Sequence, residues 1–493
     1  MKMVKSLLLG SAAGLVAVVG AQAADLPVKA KAVEYVKICS AYGAGYYYIP
    51  GTDTCIKIGG YARFDTYVNA VGTFNPAISS TAGTIFSGPG VGNFAYPFKD
   101  SDDSDYLTRV RGVIDLDART QTDYGTLRSY VRFGAEWNSQ TGTNAGSGSG
   151  VYFERAFIQF SGFTFGYTQS FFDTGLNYML TTPYAGSNTW TTLAAYTAQF
   201  GNGFSATLSL EDAANRTTGV QMAGASTVAS ISSTTIGTGL GYTNYQAGQQ
   251  APDIVANLRI DQAWGSAQLS GALHQVQVTA PLYAGFYPGL TSSDSWGWAV
   301  GGTVEFKLPF IAAGDSIFFQ AGYEEGAANY LGLSGTAQGR AVGVGSIDLN
   351  QVGSFITASG AFYTVADAVA VNSWGDTSLT KGWSLQGQFR HYWTPGLRSA
   401  LYAGYISYEV PDNVVAALDF NLWQVGVNTV WSPVKNLDIG AEVIYSKVDG
   451  SAPLGYYSAY TGGVSNGYPA TGYTLAGGST DIWSGGVRVQ RNF

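Results

Sequence analysis

The 493-residue chain carries 33 acidic against 25 basic residues, a formal net charge of −8, and so lacks the basic balance that a nucleic-acid partner requires. Charged residues make up only 12%, about half the usual globular share, while aromatics reach 14% and glycine numbers 66. So few charges among so many Tyr, Trp and Gly suit strands that meet lipid on one side, and fit a large water-facing surface poorly.

Residues 1–23, MKMVKSLLLGSAAGLVAVVGAQA, read as a secretory signal peptide. Lys2 and Lys5 form its charged front, Leu7 to Gly20 its apolar stretch, and Ala21-Gln22-Ala23 an A-x-A cleavage site. The apolar stretch is too short for a membrane helix, which needs about 20 such residues. The mature chain is therefore expected to begin at Ala24, and losing the leader removes two lysines and no acid. Residues 24–56 form an expected periplasmic N-terminal segment holding both cysteines, Cys39 and Cys55. An even pair in an exported chain most simply forms a disulfide. Neither a CxxC nor a neighbouring histidine offers a metal site, and no metal or cofactor is expected.

From residue 57 to 493 the chain is a series of segments alternating apolar and polar with a two-residue period. KIGGYARFDTYV sets Ile58, Ala62 and Phe64 opposite Tyr61, Arg63 and Asp65. YLTRVRGVIDLDAR sets Val110, Ile114 and Leu116 opposite Arg109, Arg111, Asp115 and Asp117. LRSYVRFGAEWN sets Leu127, Val131, Phe133 and Trp137 opposite Arg128, Arg132 and Glu136. Sixteen segments are expected, starting near 57, 106, 124, 151, 163, 191, 203, 252, 265, 294, 315, 381, 397, 418, 434 and 481. Connections after even-numbered segments are short and those after odd-numbered ones long, as at 71–105, 170–190, 213–250, 326–380 and 449–480. That rhythm predicts an all-β, sixteen-stranded antiparallel transmembrane β-barrel, with periplasmic turns, long outer loops and both termini on the periplasmic side. A soluble sandwich or propeller has no reason to keep it. VGSFITASGAFYTV at 352–365 also alternates, and reads either as a loop hairpin or as a displaced wall strand.

The chain ends on an aromatic, DIWSGGVRVQRNF. An open strand edge cannot stand unsatisfied in lipid, so this last strand is expected to pair with the first, placing Phe493 at the lower interface. The opening ADLPVKAK…EYVKICSAYGAGYYYIPGTDTCIKIGGYARFD resembles that of the alphaproteobacterial trimeric porins, and the final Phe493 resembles the signal read by barrel-assembly machinery in such proteins. The resemblance implies a homotrimer in the outer membrane of a Gram-negative bacterium. It also implies a third outer loop, about 170–190, folded inward as a constriction, and passive diffusion of small hydrophilic solutes and ions.

The charge-bearing face of the early strands carries Arg63, Arg109, Arg111, Arg128, Arg132 and Arg155. An arginine facing mid-bilayer lipid costs about 2–4 kcal/mol, so all six are expected in the lumen as a basic wall at the constriction. Asp65, Asp115, Asp117 and Glu136 share that wall, and Asp173 is the one acid that the inward loop can offer across the pore. Alternatives on the same barrel are a solute-selective channel, or an adhesin or structural barrel whose long loops carry the function. KDSDDSDY at 99–106 lacks EF-hand spacing, and GTGLGY at 237–242 is not a full dinucleotide fingerprint. The two histidines, His274 and His391, lie in strand patterns suited to belt or lumen positions. No nucleophile–histidine–carboxylate constellation accompanies them, so an enzyme is not expected.

Overall fold

The computed structural model describes residues 37–68, 106–139, 148–180, 185–222, 246–278, 293–333, 362–370, 377–411, 419–451 and 479–493, with short strand pieces between them. The expected leader, the segment 24–36, most of the 99–106 acidic run and the 237–242 glycine motif lie outside the described residues.

Sixteen strands follow one another around a closed antiparallel wall. The first eight are β1 Cys55–Val68, β2 Tyr106–Thr122, β3 Gly125–Asn138, β4 Gly148–Phe160, β5 Phe163–Gln169, β6 Trp190–Gly201, β7 Phe204–Glu211 and β8 Asp253–Gln262. The second eight are β9 Gly265–Val278, β10 Ser293–Lys307, β11 Ser316–Glu325, β12 Lys381–Thr394, β13 Leu397–Glu409, β14 Asp419–Val434, β15 Leu437–Ser451 and β16 Ser479–Asn492. Every observed start lies within three residues of its predicted one. Closure is made as the terminal aromatic implied: β16 pairs with β1 from Tyr61 opposite Asn492 to Val68 opposite Gly485. The Phe493 amide then donates to the Gly60 carbonyl at 3.0 Å. The 352–365 segment resolves to a loop hairpin, Ser354–Ile356 against Phe362–Thr364, outside the wall.

The alternation sorts the side chains as lipid and water demand. Leu258, Leu269, Leu401 and Val427 stand about half exposed on the outer face, while Asp65, Arg109 and Glu442 are buried inside. Exposed aromatics ring both ends. Tyr124, Phe200, Trp264 and Trp393 lie beside the short turns, and Trp137, Trp296, Trp383 and Trp483 lie toward the long loops. Two of the short turns need left-handed backbone at both central positions: Ser161 and Gly162 (φ 50° and 86°) and Asn202 and Gly203 (φ 49° and 74°). Such turns match the twist of the strands they join.

Cys39 and Cys55 form a disulfide, both sulfurs shielded from solvent, with Tyr42, Tyr46 and Tyr48 packed around it. It ties Cys39 to the start of β1, beside the short Tyr47–Tyr48 strand that pairs with Cys55 and Ile56. A bond closing a loop of this length contributes about 3 kcal/mol in the chain-entropy model. Reducing it, or replacing both cysteines with alanine, is expected to open residues 37–54 to protease while the barrel keeps its folded mobility on a gel; equal protection with and without the bond would contradict this.

Candidate functional site

β5 is only seven residues long, so the chain leaves the wall partway along the barrel and turns into the lumen. The described residues of this loop, 170–180 and 185–189, then run round the inner face of the barrel, held by polar side chains of successive strands. Glu211 of β7 accepts from the Phe171 amide (3.0 Å), and Asn257 of β8 donates to the Phe171 carbonyl (2.6 Å). Ser270 of β9 donates to the Phe172 carbonyl (2.9 Å). The Tyr178 hydroxyl donates to Glu305 of β10 (2.8 Å), and its amide to Gln388 of β12 (2.7 Å). Farther round, the Leu180 amide donates to Glu442 of β15 (2.8 Å), and Arg488 of β16 donates to the Leu180 carbonyl (2.7 Å). Glycines make room for this path. A Cβ on Gly301 would meet Phe172, one on Gly404 would meet Ala185, and one on Gly440 would come within 3.1 Å of Leu180.

Described parts of two more outer connections lie inside the same half of the barrel. The stretch after β7 makes a 3-10 turn at Ala213–Asn215 and a strand Val220–Met222, which pairs with Ala368–Ala370 from the long connection before β12. A second 3-10 turn, Ala328–Leu331, is wholly buried. The seal between these pieces and the wall is a buried polar network. Asp253 of β8 bonds His274 of β9 (2.7 Å) and the Tyr330 hydroxyl (2.7 Å). Asp367 lies 3.6 Å from the other nitrogen of His274 and accepts from the Thr218 amide (2.7 Å). Arg216 bonds Ser187 (2.6 Å), pairs with Asp173 (3.4 Å) and stacks on the Tyr330 ring (4.0 Å), with no exposure of either charged side chain. Burial opposes the charge of Arg216, yet Asp173 beside it holds the guanidinium above its ordinary pKa. Burial, reinforced by Asp253, pushes the Tyr330 phenol well up.

None of these loop bonds reaches β1–β4, where the predicted arginines lie; Arg109 there is wholly buried and the others are half-buried. Arg109 pairs with Asp65 at 2.5 Å, and Arg488 reaches the same carboxylate at 2.8 Å. Arg111 pairs with Glu136, Arg128 and Arg119 share Asp117 (2.8 Å each), and Arg132 pairs with Glu154 (3.1 Å). Arg63 is bonded to the amide oxygen of Gln490 (2.7 Å), and Arg155 stacks on Trp190 at 4.1 Å. Asp115 is half-buried on β2, in register with Arg132. Aromatic rings alternate with these guanidiniums: Tyr61 under Arg63 and Arg132, Tyr152 under Arg111, Tyr130 and Phe157 under Arg128.

Asp173 differs from its expected place. It points away from the arginine wall into the Arg216 pocket, because a full buried ion pair there satisfies it better than an exposed position at the loop edge. Glu154, Arg216, Glu442 and Arg488 were not singled out from the sequence. A β-bulge between Phe153 and Arg155 breaks the alternation, so Glu154 and Arg155 both face the lumen. Arg488 was readable, since it shares the polar side of the closing strand with Gln490.

Between loop and wall lies a cleft of about 480 Å³. Arg111, Tyr152, Glu154, Arg155 and Trp190 line one side; Asn177, Asn188, Gln320 and Gln386 line the other. No cluster of three or more His, Cys, Asp or Glu side chains placed to hold a metal ion occurs among the described residues.

A family model described as porin subfamily matches residues 25–477. The chain is 30% identical over 343 residues to the porin Omp2b of Brucella suis, covering 63% of this chain and 82% of that one. It is 33% identical over 275 residues to the porin Omp2b of Brucella neotomae, covering 53% and 64%. The fold resembles the outer membrane channel DcaP of Acinetobacter baumannii with a TM-score of 0.56 at 15% identity, over 90% of this chain and 99% of that one.

Proposed function

The chain belongs to the porin subfamily, and from that premise we propose that solutes cross this barrel through the cleft between the inward loop and the β1–β6 wall. It is an outer-membrane diffusion channel of a Gram-negative bacterium, as family, relatives and barrel agree, and porin membership implies a channel rather than an enzyme. The observation that carries the proposed route is the run of bonds from Glu211 to Arg488 along the loop, which lays it over β7–β16 and leaves the cleft against Arg111 and Arg155 of the early strands. Water fills that space, the loop edge sets the size limit, and the charges of Arg63, Asp65, Arg109, Arg111, Asp115, Asp117, Arg128, Arg132, Glu136 and Arg155 bias which ions pass. Asp173 serves this reading as an anchor of the loop.

In the cell, the leader 1–23 directs export, residues 24–56 lie on the periplasmic side, Phe493 presents the strand that assembly machinery recognises, and three copies associate within the lipid. Single-channel recording of refolded protein in a planar bilayer tests the reading. Ohmic steps in groups of three are the expected result. Protein that is folded and heat-modifiable yet passes no current would refute the open route.

A further inference from the structure

We propose that the cleft beside the inward loop prefers anions and binds a small oxyanion at Arg155, although the chain as a whole is acidic. The inference rests on the diffusion reading above and adds the solute class to it.

Three observations converge. The first concerns the loop. Its sequence, SFFDTGLNYMLTTPYAGSNT, contains one carboxylate, and Asp173 is spent in a pair with Arg216 that solvent does not reach. What the loop and the far wall turn toward the cleft is neutral: Asn177, Asn188, Gln320 and Gln386. A cation passing here meets no carboxylate from that side.

The second concerns the charge left on the opposite wall. Asp65 and Asp117 each serve two guanidiniums, and Arg63 is held by an amide oxygen. Positive charge is therefore in excess along β1–β4. Low-dielectric walls focus such an excess into the lumen and raise the local concentration of the opposite ion.

The third concerns Arg155 itself. The bulge beside Phe153 turns it into the cleft, and Trp190 supports one face of its guanidinium at 4.1 Å. Among the described residues Arg155 makes no ion pair, and its enclosed Nε has no hydrogen-bond partner. The acids that attract it do so without bonding it: Glu154 lies 3.1 Å from the Arg132 Nε, and Asp115 lies two strands away in the same row. A guanidinium held over an indole ring, with neutral amides across the gap, presents the fork that phosphate and carboxylate oxygens fit. The amides opposite can donate to the remaining oxygens.

The test uses the full-length refolded channel in a planar bilayer under a potassium chloride gradient, followed by titration with inorganic phosphate. Wild type is expected to show a reversal potential on the chloride side and a concentration-dependent block by phosphate. Arg155→Gln should lower the anion-to-cation permeability ratio severalfold and lose the block. Arg155→Lys, which keeps the charge without the fork, should keep chloride preference and weaken the block. Arg259→Gln removes an equal charge from a separate recess lined by Asp261, Glu305 and Lys307, and should move the reversal potential far less. A channel that opens but favours potassium would overturn the anion preference. Preference and block both surviving Arg155→Gln would overturn the site alone. Absence of any ohmic step would bring down the diffusion reading and this inference with it.

Discussion

Arg216→Met is expected to raise single-channel conductance and loosen the size limit of the pore. The guanidinium sits where three inward segments meet: it pairs with Asp173 and bonds Ser187 of the constricting loop, and it stacks on Tyr330 of the connection before β12. Methionine matches much of the apolar stem but leaves the Asp173 carboxylate buried without its cation. Removing one partner of a buried pair costs about 3–5 kcal/mol, which at 1.4 kcal/mol per tenfold shifts the balance between seated and unseated loop by roughly a hundredfold to several thousandfold. The bonds from Glu442 and Arg488 hold the far end of the loop, so the expected state is a loop detached near 170–175 and still tethered near 180. Conductance, together with liposome swelling in sugars of increasing size, reads this out. The double variant Arg216→Met with Asp173→Asn removes the stranded charge and should return part of the way to wild type. Unchanged conductance and size limit in folded Arg216→Met would mean that the polar bonds along the strands hold the loop unaided.

What could be read before the structure, and what could not, divides along the same line as wall and loop. Parity is a physical constraint on a strand in a membrane wall, because one face must be apolar and the other wet. It therefore placed Ile58 outward and Arg109 inward, and a turn rhythm of short and long connections set the strand count. It also predicted that the strand ending in Phe493 would meet the one containing Gly60. A loop has no such constraint. Asp173 was expected to face the arginines because it is the loop's one acid, whereas its orientation depends on Arg216, more than forty residues later in another loop. His274 sits in a strand pattern, but its partner Asp367 comes from a connection whose inward fold no periodicity reports. Glu154 failed for a subtler reason: one extra residue at the bulge reverses parity, and the sequence FERAF carries no turn residue to announce it.

Asp65→Leu is expected to weaken the barrel at the one place where it closes on itself. β1 is bonded to β2 on one side and to β16 on the other, and Asp65 lies in register with Arg109 and Arg488. Its two oxygens take one guanidinium from each neighbour, at 2.5 and 2.8 Å, with the carboxylate wholly buried. Leucine would leave two like charges facing each other without that anion, a loss of about 3–5 kcal/mol by the measure of buried pairs. The damage would not stay at the seam, because Arg488 also donates to the Leu180 carbonyl and so holds the tip of the constricting loop. Two readouts should therefore move together: the folded band on a gel should disappear at a markedly lower temperature, and the open channel should become noisier. Asp65→Asn, which keeps an acceptor oxygen but not the charge, should fall between the two. The backbone ladder from Tyr61 to Val68 remains in all three proteins. If that ladder alone secured closure, the heat-stability of Asp65→Leu would match wild type, and the ion triad would matter only to the ions passing it.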